Sequence, residues 1–240
     1  MEWLSLAVFV VVAIAAACQM FSGIGFSLVC SPLLVLTLGR DAGLRTVLIM
    51  SILLNALLLV QSRRHVRWGD ALRLLVPASV IIIPTALIVD RLRTPILTAV
   101  AGVVILIATV LVIVGRPAPW LDGNVGALAV GAASGVFTVL AASGGPPVAL
   151  FATQRRWKPE VAMGTLQAFF LPLNIITVAI LGPPQGDLSV LAWAAGGLAL
   201  GTVAASFFTR RLAPLARPIT LSLAAFGGAT LIVAGLTSAI

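Results

Sequence analysis

Long apolar segments separated by short charged stretches occupy almost the whole of this 240-residue chain. Hydrophobic residues make up 60% of the sequence and charged residues only 9%, whereas a soluble domain has about 25% charged residues. Such a chain cannot cover a surface that faces water. A span needs about 20 apolar residues, so the sequence predicts an all-α polytopic membrane protein with about eight transmembrane segments.

Two of the apolar segments are too short to cross a membrane. The ten segments lie at 3–21, 26–38, 44–61, 71–89, 95–114, 124–142, 146–153, 160–181, 188–208 and 218–238. Segments 26–38 and 146–153 are expected to be half-helices, because each follows a stretch of helix-breaking residues.

Those two helix-breaking stretches, 22–27 and 142–147, lie where the hydropathy predicts lipid. Unpaired backbone polar groups are not tolerated against hydrocarbon, so each stretch should face protein or a water-filled cavity. Paired interruptions in corresponding positions of two halves point to the binding site of a transporter. The sequence therefore predicts a membrane transporter.

The chain also repeats itself at a spacing of 119 residues. The shift relates Gly25 to Gly144, Thr46 to Thr165 and Asn55 to Asn174, and also Val29 to Val148, Arg91 to Arg210 and Pro95 to Pro214. We interpret residues 1–115 and 124–240 as two membrane repeats of four segments each. In each repeat the first segment is broken or forms a helical hairpin, as in the internal duplications of many secondary transporters.

The net charge of +8 is explained by topology, because basic residues accumulate in cytoplasmic loops. If each broken stretch crosses once, one side carries 10 basic residues and the other 5; if each is a hairpin, the counts are 11 and 4. The hairpin arrangement, with inverted repeats, fits better. Both arrangements place the two termini outside a multi-pass protein of the cell inner (plasma) membrane. Nucleic acid is not expected as a partner; a homodimer stays open.

The broken segments carry a resemblance to a known family. The run Gly23-Ile24-Gly25-Phe26, followed by Ser31-Pro32-Leu33-Leu34, and its echo Ser143-Gly144-Gly145-Pro146-Pro147 resemble the sulfite exporter TauE/SafE family over nearly the whole chain. Family members typically show a fuller GxGGG run in each half. The resemblance implies export of small sulfur-containing or organic anions, such as sulfite or sulfonates including sulfoacetate.

An anion site inside the membrane is expected to use neutral donors, because a buried Arg or Lys is costly there. Backbone N–H groups at the breaks, helix N-termini, hydroxyls and the amides of Asn55 and Asn174 are such donors. Thr46 and Thr165 precede these asparagines by nine residues, which places them on opposite helix faces. The candidate substrate-binding residues are Ser22, Gly23, Gly25, Ser27, Thr46, Asn55, Ser143, Gly144, Gly145, Thr165, Gln167 and Asn174. Gln19 is expected only to pack.

Other kinds of function fit the sequence less well. A serine hydrolase needs a base at membrane depth, and the single histidine, His65, lies among arginines at a boundary. A metalloenzyme needs several His, Cys, Asp or Glu ligands, so no catalytic residue, metal or cofactor is predicted. A carrier for a cation or a neutral solute, using carbonyl groups at the same breaks, is the alternative. The partners expected are a small anion and the lipid bilayer.

Overall fold

The computed structural model of the chain describes residues 2–23, 25–115, 121, 123–184 and 188–238, without the side chains of 2, 21–22 and 208–217. The described residues form α-helices and no strand. The helices are α1 (Glu2–Ser22), α2 (Gly25–Leu38), α3 (Arg40–Ser62), α4 (Trp68–Val89), α5 (Thr94–Val114), α6 (Gly123–Ala141), α7 (Gly145–Gln154), α8 (Pro159–Leu181) and α9 (Leu188–Thr237), with a 3₁₀ turn at Arg63–His65.

Eight helical segments within the described residues are long and apolar enough to cross a membrane. Two of them, Leu188–Phe207 and Pro218–Thr237, lie within α9. The prediction of an all-α polytopic membrane protein with about eight spans is confirmed. Helices α2 and α7 have 14 and 10 residues, too few to span a bilayer.

Proline and glycine set several helix ends. Pro95, Pro146 and Pro159 lie in the first turns of α5, α7 and α8, where a missing N–H removes no helical hydrogen bond. Gly115 ends α5 in the left-handed conformation, with φ of 49°, which glycine adopts without steric conflict. The sequence thus places these boundaries through backbone chemistry alone.

The outer surface of the helices is strongly apolar. Side chains such as Val80, Leu87, Val110 and Val125 are more than half exposed. Their contact with water would be unfavourable by about 25 cal/mol for each Å². A lipid environment removes that penalty, in agreement with the membrane assignment.

Glycines on α6 and α9 bring helices into close contact. Gly131 of α6 lies against Pro77 of α4, and Gly135 lies against Ile81, so α4 and α6 run in the same direction. A Cβ atom on Gly135 would come within 2.5 Å of the Ile81 side chain. Small residues are enriched where membrane helices pack, because they let backbones approach closely.

Helices α3 and α8 pack antiparallel in the interior. Gly164, near the start of α8, meets Ser62 at the end of α3. At the other end, Arg45 donates a hydrogen bond of 3.0 Å to the carbonyl oxygen of Pro183. The two helices are both 23 residues long and begin 119 residues apart (159 − 40). Their middle residues face the interruptions between α1 and α2 and between α6 and α7.

Candidate functional site: a cavity between two helix interruptions

A cavity of about 30 Å³ lies between the two interruptions and the middle of α3 and α8. Twelve described residues line it: Gln19, Gly23, Phe26, Ser27, Ser51, Asn55, Thr138, Ala142, Gly144, Gly145, Phe170 and Asn174. None of the twelve side chains is charged. A void of this size holds one or two water molecules, since one water needs a cavity volume of about 10–15 Å³.

Most of the cavity lining consists of pairs related by the 119-residue shift. Ten of the twelve lining residues form the five pairs Gln19/Thr138, Gly23/Ala142, Phe26/Gly145, Ser51/Phe170 and Asn55/Asn174. Ser51 and Asn55 are four residues apart on α3 and share a helix face, and Phe170 and Asn174 do the same on α8. Each half of the chain contributes six of the twelve lining residues.

The first interruption is held together by the side chain of Gln19. Gly23 has φ of +77°, and its N–H donates to the Gln19 carbonyl at 2.8 Å. The Gln19 side-chain amide donates from Nε2 to the Gly23 carbonyl at 2.8 Å. Its Oε1 accepts from the backbone N–H of Phe26, in the first turn of α2, at 3.0 Å. Gln19 thus joins the end of α1 to the start of α2.

The second interruption uses a hydroxyl in place of the amide. Ser134 donates from Oγ to the carbonyl oxygen of Gly144 at 2.6 Å. A Cβ atom on Gly144 would lie 2.7 Å from both the carbonyl oxygen and Oγ of Ser134, so the position has no room for a side chain. Ala142 has φ of +51°, at the position that the shift relates to Gly23. The same left-handed backbone therefore ends α1 and α6.

Both asparagines predicted from the sequence line the cavity. Asn55 on α3 and Asn174 on α8 are each 5% exposed. Ser27 lies beside them in the first turn of α2. A carboxamide supplies two N–H donors and a carbonyl acceptor, so the paired asparagines can hydrogen-bond an oxygen-rich guest.

Of the twelve candidate residues, six line the cavity: Gly23, Ser27, Asn55, Gly144, Gly145 and Asn174. Gly25 is buried at the first position of α2 but does not line it. The backbone of Ser22 ends α1, and its side chain lies outside the described residues.

The other four candidates lie outside the lining. Thr46 donates to the Ala42 carbonyl within α3 at 2.7 Å, and Thr165 accepts from the Arg67 N–H at 3.0 Å. Gln167 is fully buried, and its Nε2 lies 3.5 Å from the Gly23 carbonyl oxygen.

The fourth, Ser143, is buried with no hydrogen-bond partner for Oγ among the described residues. The 119-residue shift relates Thr46 to Thr165, and neither residue lines the cavity.

Six lining residues were not among the candidates from the sequence: Gln19, Phe26, Ser51, Thr138, Ala142 and Phe170. For Gln19 the sequence predicts only a packing role, whereas the structure places it in the lining. The 119-residue shift relates Gln19 to Thr138 and Ser51 to Phe170, but neither pair is identical, so the shift does not identify them. Ser51 and Phe170 could have been found from their position one helical turn before Asn55 and Asn174.

The chemistry available in the cavity is that of neutral hydrogen bonding. The lining offers amide, hydroxyl and backbone groups beside the starts of α2 and α7. A helix N-terminus carries about half a positive charge, which favours a negative guest. Donors that are fixed before binding stabilise an anion at little reorganisation cost. They also avoid the penalty of an ionised side chain in the membrane.

Comparison with known proteins gives one match. A family model described as Sulfite exporter TauE/SafE matches residues 8–237. No curated protein and no solved structure matches the chain. The family match spans all the helices that build the cavity.

Proposed function

We propose, from the premise that this chain belongs to the sulfite exporter TauE/SafE family, that it exports small sulfur-containing or organic anions through the cavity between the two interruptions. Membership of the family makes the protein a membrane transporter. Sulfite and sulfonates such as sulfoacetate are the substrates proposed. The cavity itself is the site proposed for the anion.

One observation carries the proposal: the residues of both interruptions meet Asn55 and Asn174 around a single void with no charged side chain. Small anions with several oxygen atoms suit such a lining, because amide and hydroxyl donors can surround them. A hydrogen bond to a charged group contributes about 1.5–3 kcal/mol. Hydrogen bonds from the two asparagines would therefore contribute about 3–6 kcal/mol to anion binding.

The size of the cavity fits a closed state of a transporter. About 30 Å³ admits little more than water. An anion of several heavy atoms would enter only after the helices around the interruptions separate. In many transporters such access alternates between the two sides, through movement of one repeat against the other.

We also propose that each interruption is the tip of a helical hairpin. Gly197 of α9 lies against Phe9 and Gly201 lies against Ala13, so α1 and the first span of α9 run in the same direction. Helix α8 runs opposite to α3. If the first span of α9 turns back beside α8, then α1 and α3 point the same way, and α2 between them must run back.

This arrangement supports two inverted repeats, 1–115 and 124–240, although residues 116–120 and 122 of the junction lie outside the described residues. In this arrangement the side with 11 basic residues faces the cytoplasm, and the side with 4 faces outward. Both termini are then proposed to lie on the outer side of the inner membrane. A homodimer remains an open part of the proposal.

The proposed energy source is the membrane potential. The cavity lining contains no carboxylate and no histidine, so the usual groups of a proton relay are missing from it. Outward movement of an anion from a negative-inside cell is favourable by about 2.3 kcal/mol per charge at 100 mV. Electrogenic efflux follows from these two conditions.

Cation or neutral-solute transport is the alternative, and the interruptions disfavour the cation. A cation would need free carbonyl oxygens. The Gly23 carbonyl already accepts from Gln19, and the Gly144 carbonyl accepts from Ser134. An intramembrane enzyme is less favoured still, because His65 is exposed in the 3₁₀ turn and supplies no base at the cavity.

The proposal is tested with purified protein in liposomes loaded with sulfite, thiosulfate, a sulfonate or a carboxylate. Flux should occur for one or more sulfur anions and should accelerate when the compartment that holds the anion is made negative. Flux that ignores an imposed potential and follows a pH gradient would contradict electrogenic export. Movement of a cation, with none of the anions transported, would favour the alternative.

A further inference from the structure

A second and larger cavity lies at the end of the bundle where α3 begins and α4 and α8 end. Its volume is about 430 Å³, and its polar lining comprises Arg40, Asp41, Arg45 and Asp90. The remaining walls are apolar and include Ile83, Leu87 and Ile180. We call it the Arg40 cavity. Asn55 lies 15 positions after Arg40 on α3 (55 − 40), about 22 Å along the helix axis, so the two cavities are separate.

The side chain of Arg40 is buried although it is charged. Only 6% of it is exposed, and its Nη1 contacts Asp41 Oδ1 at 2.9 Å. Within the described part of the chain, its Nε and Nη2 are buried with no hydrogen-bond partner. A buried donor without a partner is rare in native structures and calls for an explanation. Missing ligand oxygens are one such explanation.

The two unpartnered nitrogens are the two that point in the same direction from the planar guanidinium group. Nε–H and one N–H of Nη2 form a fork that matches two oxygens of a carboxylate or phosphate. Lysine cannot make this contact, because its ammonium group lacks the fixed fork geometry. The unsatisfied part of Arg40 thus has the shape of an oxyanion receptor.

The cavity lining carries no net side-chain charge, because Arg40 and Arg45 are balanced by Asp41 and Asp90. Both aspartates are exposed, whereas Arg40 is buried. Arg45 lies five residues further along α3 and also lines the cavity, and its Nη1 donates to the Pro183 carbonyl oxygen. The free N–H groups of the first turn of α3 add positive potential at this end, whereas the C-terminal turns of α4 and α8, which reach the cavity at Val89 and Leu181, add negative potential. Asp41 already contacts Nη1 of Arg40, but 64% of its side chain is open to solvent, so water screens its charge more than that of the buried arginine.

We propose that the Arg40 cavity binds an oxyanion through the Nε/Nη2 fork of Arg40, with Arg45 and the start of α3 as additional donors. Nε and Nη2 of Arg40 are not exposed to water in this structure. The oxyanion therefore reaches them from the cavity only when the side chains packed against the guanidinium group move aside. The ligand carries at least two oxygens on one centre, as a phosphate, sulfate or sulfite group does.

Two sources supply that chemistry. One is a free oxyanion in solution; the other is the phosphate of an anionic lipid, whose chains would lie against the exposed apolar side chains of Ile83 and Leu87. The site exists at one end of the bundle only. The 119-residue shift relates Arg40 to Pro159 and Arg45 to Gly164, neither of which can replace a guanidinium.

The test is the thermal unfolding midpoint of the purified full-length protein in a zwitterionic detergent. It is measured against rising phosphate, sulfate or sulfite at constant ionic strength with chloride, and against micelles containing phosphatidylglycerol or phosphatidylcholine. Bound ligand raises the midpoint in proportion to its saturation of the native state. The variants are Arg40→Lys, Asp41→Asn and the control Arg91→Gln, whose native residue is exposed outside the cavity.

A saturable rise with an oxyanion or with phosphatidylglycerol, but not with phosphatidylcholine, is expected in the native protein. Arg40→Lys should raise the half-saturating concentration at least tenfold. Asp41→Asn should lower it severalfold, because it removes the competing carboxylate, and Arg91→Gln should leave it unchanged. A response to free oxyanion identifies a solution ligand, and a response to phosphatidylglycerol alone identifies a lipid; either supports the site.

The proposal is overturned if neither ligand shifts the native midpoint, or if Arg40→Lys and the native protein respond alike. If Arg40→Lys is not recovered folded, the comparison of Asp41→Asn with Arg91→Gln decides alone, and equal responses overturn the site. All measurements are repeated in an Asn55→Ala background, which lacks a donor of the central cavity. A rise in the unfolding midpoint that is lost in the Asn55→Ala background reports binding in the central cavity. That result overturns the Arg40 site and leaves the proposed transport function unaffected.

Discussion

The side-chain oxygen of Gln19 accepts a 3.0 Å hydrogen bond from the backbone N–H of Phe26, across the gap between α1 and α2. The same side chain donates to the Gly23 carbonyl at 2.8 Å. One amide therefore pairs with the Phe26 N–H and with the Gly23 carbonyl oxygen, to which Gln167 Nε2 is a second, longer donor at 3.5 Å. Leaving a buried polar group unpaired costs about 1–3 kcal/mol, which makes Gln19 the residue that stabilises this half of the cavity.

Two replacements of Gln19 test separate properties: its contribution to stability, and the preference of the cavity for an anion. Gln19→Met should lower the free energy of unfolding by about 1–3 kcal/mol and reduce transport, because the buried Phe26 N–H loses its partner while the Gly23 carbonyl keeps Gln167. Gln19→Glu should keep both hydrogen bonds when the introduced carboxyl is protonated, and repel an anion when it is ionised. Anion flux in Gln19→Glu should therefore recover as the pH falls. Flux that rises with pH, or that is equal at all pH values, would count against an anion in the cavity.

The paired asparagines should act together on substrate affinity. Asn55→Ala and Asn174→Ala each remove a donor to a charged guest, about 1.5–3 kcal/mol, so KM for anion flux should rise roughly tenfold to a hundredfold. Thr46→Val and Thr165→Val are matched controls from the same two helices, since neither residue lines the cavity. KM values in the asparagine variants that match those of the threonine variants would remove the asparagines from the site.

Gly23 and Ala142 occupy equivalent left-handed positions, with φ of +77° and +51°. Gly23→Ala should lower the free energy of unfolding by about 1–2 kcal/mol through backbone strain. A clash is not expected, because the new Cβ would lie 3.5 Å from the flexible side chain of Met163.

At the other interruption, Ala142→Gly should leave stability unchanged or raise it slightly. Thermal unfolding measures both variants, with Gly69→Ala as a control at a helical position where the added Cβ meets nothing within 4 Å. A loss of stability in Gly69→Ala as large as in Gly23→Ala would rule out left-handed strain as the cause.

A larger residue at Gly144 tests whether transport depends on the close contact between this position and Ser134 of α6. In Gly144→Val the side chain would overlap Ser134, whose oxygens lie 2.7 Å from the position of a Cβ atom. Transport should be abolished, while the protein still inserts, because the distortion is confined to the tip between α6 and α7. Flux assays and membrane localisation measure the two effects separately. Normal flux in this variant would place the pathway elsewhere.

Several features follow from local rules. The spans follow from the length of the apolar segments, and both interruptions follow from the helix-breaking residues within 22–27 and 142–147. The 119-residue shift directed attention to Asn55 and Asn174, which both line the cavity. These inferences succeed because hydropathy and backbone preference depend on residues that are neighbours in the chain.

What the sequence by itself determined is the membrane class, the helices and the places where they stop. Only the tertiary structure decided that Asn55 faces the cavity while Thr46 bonds its own helix, that Gln19 bridges an interruption, and that Arg40 is buried beside a second cavity. The reason is geometric. The direction in which a side chain points depends on the rotation of its helix about its own axis, and contacts between distant segments set that rotation.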